Sequence, residues 1–320
     1  MKKLIALVLV VAALWSGYWF VGTRALERGV RDWIAMQTEA GLEVREEGLS
    51  VQGFPNRFDL TLTQPLLRDP VSGFGWKGEW LQSLMMGWKP WHVILVAPQG
   101  WELMTPMGDI PVTAESTEAS LLLAPSRALL LDRFTLVSQA PSATLPTGVL
   151  SASDFRVATR RVAEGSVKQE LGVEITGLTG TGQLAAAGTG HLRVDAVAGF
   201  SAPPGLVVAE PPVVLETLEV TEARLDWGTA SLSVTGSLVA DAAGQAEGRL
   251  EVTLQGGPVL LPLAVAAGLV PERLAPAVSS MVERLQTSAG DGKPLVLPLT
   301  FQRGQMRLGI LPLGPAPFLR

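Results

Sequence analysis

The spacing of hydrophobic positions changes twice along the chain. From Leu4 to Val21 the residues are uncharged and mostly apolar. These eighteen residues, at about 1.5 Å of rise each, come to about 27 Å, enough to cross the hydrocarbon core of a bilayer. Between 24 and 40 the spacing becomes helical. Leu26, Val30, Trp33 and Ile34 share a face, Arg24, Glu27, Arg31 and Asp32 fall elsewhere, and Gly41 is a fitting stop. Such a helix lies on the membrane surface or docks on whatever sheet follows, and docking is the more economical reading.

From Leu42 the period is two. Phe58, Leu60 and Leu62 alternate with Asp59, Thr61 and Thr63, as a half-buried strand requires. The pattern returns at Leu171, Val173 and Ile175, at Leu192 and Val194, and at Leu218 and Val220. It is clearest from Leu225 to Leu254, where Leu232, Val234, Gly236 and Leu238 share one face of a strand and Leu250, Val252 and Leu254 face inward on the following one. Gly228 and the stretch Asp241–Gly244 are the turns between these strands, and Arg303-Gly304 is a later hairpin turn. Residues 259–289 interrupt with helical spacing. The apolar run Val259–Val270 is too short to span a bilayer; Leu274, Val278, Met281, Val282 and Leu285 then mark an amphipathic helix stopped near Gly290.

The expected fold is therefore mainly β, a β-rich α+β chain. An extended antiparallel meander either curves into a groove or closes as a sandwich, with an N-terminal transmembrane helix and a helical insertion near 259–289. The expected divisions are an anchor over 1–22, a juxtamembrane helix over 23–41 and a β-rich domain over 42–320, with a seam near 203–212 at Pro203-Pro204 and Pro211-Pro212.

The anchor reads as retained. Trp15, Tyr18, Trp19 and Phe20 suit a bilayer interface, and the nearest small-x-small pattern, Thr23-x-Ala25, has Arg24 inside it. Lys2 and Lys3 favour a cytoplasmic N-terminus, which puts the bulk of the chain in the periplasm of a bacterial inner-membrane protein. Arg24, Arg28 and Arg31 at the other end pull the opposite way.

Composition narrows the function. Charged residues are 17% against roughly 25% in average soluble domains, which fits membrane contact, a large apolar interior or simply an alanine-rich composition. A net charge of −5 without a basic patch argues against nucleic acid. The absence of cysteine removes disulfides, thiol catalysis and Cys-ligated metals.

No catalytic motif emerges. His92 and His191 lack ligand spacing, and His92 reads as a residue at a strand start. Gly180-Thr-Gly182-Gln-Leu-Ala185 imitates a dinucleotide fingerprint but lies among strands. Glu115 with Glu118, Glu216 with Glu219 and Glu222 with Asp226 read as solvated strand faces. Trp76, Trp80, Trp88, Trp91 and Trp101 form a cluster of five, the candidate ligand or membrane contacts. They clamp a sugar, stack on an acyl chain, touch the membrane or fill a core.

Several segments taken together resemble one bacterial family, the uncharacterised "domain of unknown function 2125" group. They are Gly17-Tyr-Trp-Phe-Val-Gly22, Val51-Gln-Gly-Phe-Pro-Asn-Arg-Phe58, Leu225-Asp-Trp-Gly228, the Gly-x-Leu repeats at 236–238 and 248–250, and Met306-Arg-Leu-Gly-Ile-Leu-Pro-Leu-Gly-Pro315. The family brings no catalytic residues. More loosely, the Gly-x-Leu hairpins are similar to AsmA-like envelope proteins, which implies an apolar groove suited to lipids. The expected function is a membrane-anchored, non-enzymatic protein without cofactors that binds or transfers lipid or acyl-chain ligands in envelope maintenance. The alternative is an assembly partner that docks another envelope protein through Trp-rich loops. A hydrolase using the dispersed carboxylates ranks third.

Overall fold

A computed structural model describes residues 1–126, 128–185, 188–206, 212–256, 260–266, 270–289 and 293–319. The chain divides into two compact units. The first holds Met1–Asp132 with Gly205 and Leu206; the second holds Arg133–Pro204 and the described residues from 212 on. Of the expected seam at 203–212, residues 207–211 lie outside the described residues.

In the first unit a single helix, α1 (Lys2–Glu39), runs without a break through both the expected anchor and the expected juxtamembrane helix. The strands that follow are β1 (Glu43–Arg45), β2 (Gly48–Gln52), β3 (Arg57–Thr63), β4 (Leu66–Arg68) and β5 (Gly75–Gly78). Next come β6 (Trp80–Met86), β7 (Lys89–Ala97), β8 (Gly100–Thr105), β9 (Gly108–Thr113) and β10 (Ser116–Leu123). They pair antiparallel in the orders β1–β4–β5–β8–β9 and β2–β3–β6–β7–β10.

Each strand of one ladder continues into a strand of the other across a two-residue or one-residue break. Pro65 and Pro98, which cannot donate to a ladder, sit in two of those breaks. Backbone bonds from Glu47 to Thr63, Gln64 to Glu79 and Ala114 to Gln99 cross the line of breaks. The result is five long strands, each interrupted once.

The apolar face of the second ladder is set by register. Phe58 stands opposite Met85, Met85 opposite Val93, and Val93 opposite Leu121. Trp19 of α1 is buried against Phe58, Met85 and Val93, with Leu26 beside it. Gly22 lets the helix come this close, since a Cβ there would lie 2.6 Å from Phe58 Cζ. Within residues 24–40, Leu26 packs beside this cluster, and Val30, Trp33 and Ile34 are half-buried.

The second unit begins at Arg133 within a bent hairpin, β11 (Leu131–Gln139), β12 (Ser142–Leu145), β13 (Gly148–Ser151) and β14 (Asp154–Arg161). Long strands follow: β15 (Lys168–Gly180), β16 (Gly190–Phe200), β17 (Leu215–Trp227), β18 (Ala230–Ala240) and β19 (Ala246–Gln255). The chain then leaves the sheet through α2 (Leu261–Ala266) and α3 (Ala275–Ala289). It returns as β20 (Leu295–Gln302), paired directly with β19, and ends in β21 (Gln305–Leu308) and β22 (Leu311–Pro315). From β14 to β22 each strand is antiparallel to the next. The mainly β meander, the N-terminal helix and the helical insertion are as the sequence predicts; Gly290, the expected stop, lies outside the described residues.

Candidate functional site: an apolar cavity in the second unit

Period-two patterning in successive strands lines up row by row. Ile175, Leu192, Leu225, Leu232, Leu254 and Leu295 stand opposite one another in turn across β15 to β20. A second row runs Ala223, Val234, Val252 and Leu297, and a third runs Leu250, Leu299 and Leu308. The opposite face carries the polar half of the alternation. Arg193 reaches Asp195 and Arg224 reaches Asp226, each at 2.8 Å, and His191 lies 3.4 Å from Glu174. The hydrogen bond from Arg224 holds the Asp226 carboxyl below its ordinary range and raises the guanidinium in return.

The helical excursion covers the apolar face. Val278 and Val282 of α3 are buried with Leu295, Leu297 and Leu313, and Leu261 and Ala264 of α2 pack on the same cluster. The cover does not fill the space beneath it. A partly open cavity of about 640 Å³ remains between helices and sheet, within the roughly 300–1,000 Å³ of small-molecule sites. Its lining reaches from Leu145 on β12 and Leu150 on β13, across β15 to β21, to Leu313 on β22.

Ser279 is the one polar side chain among the described residues that line the cavity, and its hydroxyl donates to Glu283 at 2.9 Å. Among the described residues, no acid, base or cation lines the interior. Water there finds few partners, because a buried water needs two to four polar contacts. The chemistry on offer is apolar burial.

The tryptophan candidates all lie in the first unit. Trp76 and Trp101 come together on the neighbouring strands β5 and β8, and Gly78, opposite Trp101, leaves room for the Trp76 ring. Trp80 begins β6 and Trp91 is on β7. These four are half-buried, whereas Trp88, in the turn between β6 and β7, is 60% exposed. The structure therefore does not gather the five into one clamp. His92 contacts Ser120 at 3.0 Å across β7 and β10. The paired acidic residues are absent from the cavity lining, and among the described residues no cluster of three metal-ligating side chains occurs. Gly182–Leu184 forms a short 3₁₀ turn between strands; residues 186–187 beyond it lie outside the described residues.

The hydrophobic pattern places Leu225, Leu232 and Val252 on strand faces and Val278 on an amphipathic helix, without marking any of them as a site. The available signal was a mismatch of extent, a wide apolar sheet face followed by only two short helices to cover it.

No curated protein and no solved structure matches the chain. A bacterial family described as "Uncharacterized protein conserved in bacteria (DUF2125)" matches residues 19–317, nearly the whole length, and the chain belongs to that family.

Proposed function

We propose that this is a non-enzymatic inner-membrane protein, its bulk in the periplasm, whose second unit takes a lipid acyl chain into the cavity beneath α2 and α3. The observation that carries the reading is the cavity's lining, in which one hydroxyl is the only polar side chain among the described residues. The membrane half rests on α1, long and apolar enough to span a bilayer, with Leu4 to Val11 and Leu14 largely exposed. Lys2 and Lys3 support the orientation.

Burying a methylene is worth about 0.8 kcal/mol relative to water. A chain of about ten methylenes thus gains about 8 kcal/mol before ordering costs, the scale of micromolar affinity. Relative to a bilayer, where the chain is already dry, the balance is near zero. Loading and unloading are then reversible, which suits transfer or presentation better than storage. The assembly-partner reading has thinner support, because four of its five tryptophans are half-buried.

A photoactivatable fatty acid added to membranes containing the full-length protein tests this. Crosslinks are expected on peptides containing Leu250–Leu254 and Val278–Val282, and are expected to disappear in Val252→Trp, whose ring occupies the cavity. Labelling confined to α1 would sink the reading.

A further inference from the structure

The helix α1 is fastened to the first unit by its aromatic residues. Trp15 donates from Nε1 to the Pro55 carbonyl at 2.9 Å, Tyr18 from its hydroxyl to the Gly87 carbonyl at 2.6 Å, and Trp19 from Nε1 to the Arg57 carbonyl at 2.7 Å. Pro55 and Gly87 lie in two turns at the same end of the sheet, between β2 and β3 and between β6 and β7, and Arg57 opens β3 directly after the first of them. Trp15, Tyr18 and Trp19 all fall inside the uncharged stretch that ends at Val21. At about 1.5 Å per residue, the acceptors sit about 3–9 Å short of that end along the helix axis.

A turn at that depth has a specific difficulty. Its carbonyls point where water is scarce, and an unsatisfied carbonyl in hydrocarbon costs several kcal/mol. The ring donors remove that cost at Pro55, Arg57 and Gly87. The same turns expose what an interface accepts: Phe54 is 53% exposed, Trp88 60% and Met86 44%, with Phe20 and Val21 of α1 beside them also exposed. Phe54 is held edge-on to Trp19, ring centroids 5.3 Å apart. Lys89 flanks one turn, as cations do beside lipid phosphates, while Arg57 beside the other is ion-paired with Asp59 at 2.6 Å.

We infer that the turns Gly53–Asn56 and Met86–Lys89 form a membrane-seated tip, with Phe54 and Trp88 inserted into the interfacial layer of a phospholipid bilayer. The inference rests on α1 being the membrane anchor and goes beyond it. The first unit is held against the bilayer surface by its own turns and does not hang from a flexible tether.

The chain has no cysteine, so single-cysteine variants of the full-length protein carry one label each. Phe54→Cys, Trp88→Cys, Leu9→Cys and Met107→Cys, the last in the turn at the opposite end of the same strands, receive an environment-sensitive fluorophore. They are reconstituted in phosphatidylethanolamine and phosphatidylglycerol vesicles containing nitroxide lipids. Labels at 54 and 88 are expected to shift to the blue and to be quenched most by a nitroxide near the headgroup. The label at 9 should be quenched most by one deep in the acyl chain, and that at 107 by neither. Quenching at 9 with aqueous behaviour at 54 and 88 overturns the tip and leaves the anchor standing. No quenching at 9 overturns both. Labels at 54 and 88 shielded from lipid and from an aqueous quencher alike assign the turns to a protein partner and overturn the tip.

Discussion

Both units are antiparallel meanders with one apolar face, and they hide that face by different means. In the first, α1 approaches closely enough at Gly22 that Phe58 touches it, and large side chains extend the cover: Trp19, Phe58 and Met85 are all buried together. In the second, α2 has six residues and α3 fifteen, and the lining beneath them is leucine, valine, alanine and other aliphatic residues without one aromatic ring among those described. A helix about 10 Å wide covers about two strand spacings, so two short helices fall short of a face reaching from β13 to β22. The same period-two code thus yields a packed core where the cover is bulky and a cavity where it is narrow and smooth. What separates the two is the cover, not the sheet.

The contrast breaks first at Trp19. Trp19→Ala removes a ring stacked on Phe58 and the hydrogen bond to Arg57, and is expected to cost about 3–5 kcal/mol. Chemical denaturation of the full-length protein in micelles reads it. Next in size is Gly22→Val. With Phe58 Cζ only 2.6 Å from where a Cβ would stand, overpacking should cost about 1–3 kcal/mol by the same measurement.

In the second unit the expectations are gentler. Leu232→Ala truncates a side chain that already faces open space on one side, so it forfeits fewer contacts and should cost less than about 2 kcal/mol, the low end for buried Leu→Ala. Val252→Trp, which would overpack a filled core, should leave stability within about 1 kcal/mol of the parent while abolishing acyl crosslinking. A large loss of stability in Val252→Trp would mean that the second unit is as full as the first.

How much of this was legible follows from what each pattern encodes. Alternation at Phe58, Leu60 and Leu62, and again from Leu225 to Leu254, fixes which residues face inward, and those strands form where expected. The interruption of five long strands along one line was not legible, although Pro65 and Pro98 lie on it, because a ladder partner's break is a property of register. The depth of Trp19 was readable only as an interfacial preference. Its burial depends on Phe58, which is 39 residues later in sequence and is matched to Gly22 by a gap that only the folded chain creates. An apolar groove was among the expectations, but which residues line the cavity was not legible, because a core residue and a cavity-lining residue have the same sequence signature; they differ in what stands opposite.

The smallest expected effect concerns the outer face of the second unit, where charge lies and the cavity does not. Asp226 accepts from Arg224 through both carboxylate oxygens at 2.8 Å. That hydrogen bonding, the largest influence on the group, keeps its folded pKa below the ordinary 3.8. A carboxyl with a depressed folded value contributes stability that is present above the unfolded value and disappears as pH falls through the folded one. The difference in Tm between the parent and Asp226→Asn should therefore be constant above about pH 5 and close as the pH drops below about 4. It should stay small beside the Trp19→Ala loss, since exposed pairs are screened by solvent. Acyl crosslinking in Asp226→Asn should match the parent, because the two faces of the sheet share a backbone but no side-chain contact with the ligand. A Tm difference that widens on acidification would reverse the sign, and a change in crosslinking would mean that the polar face governs the apolar one.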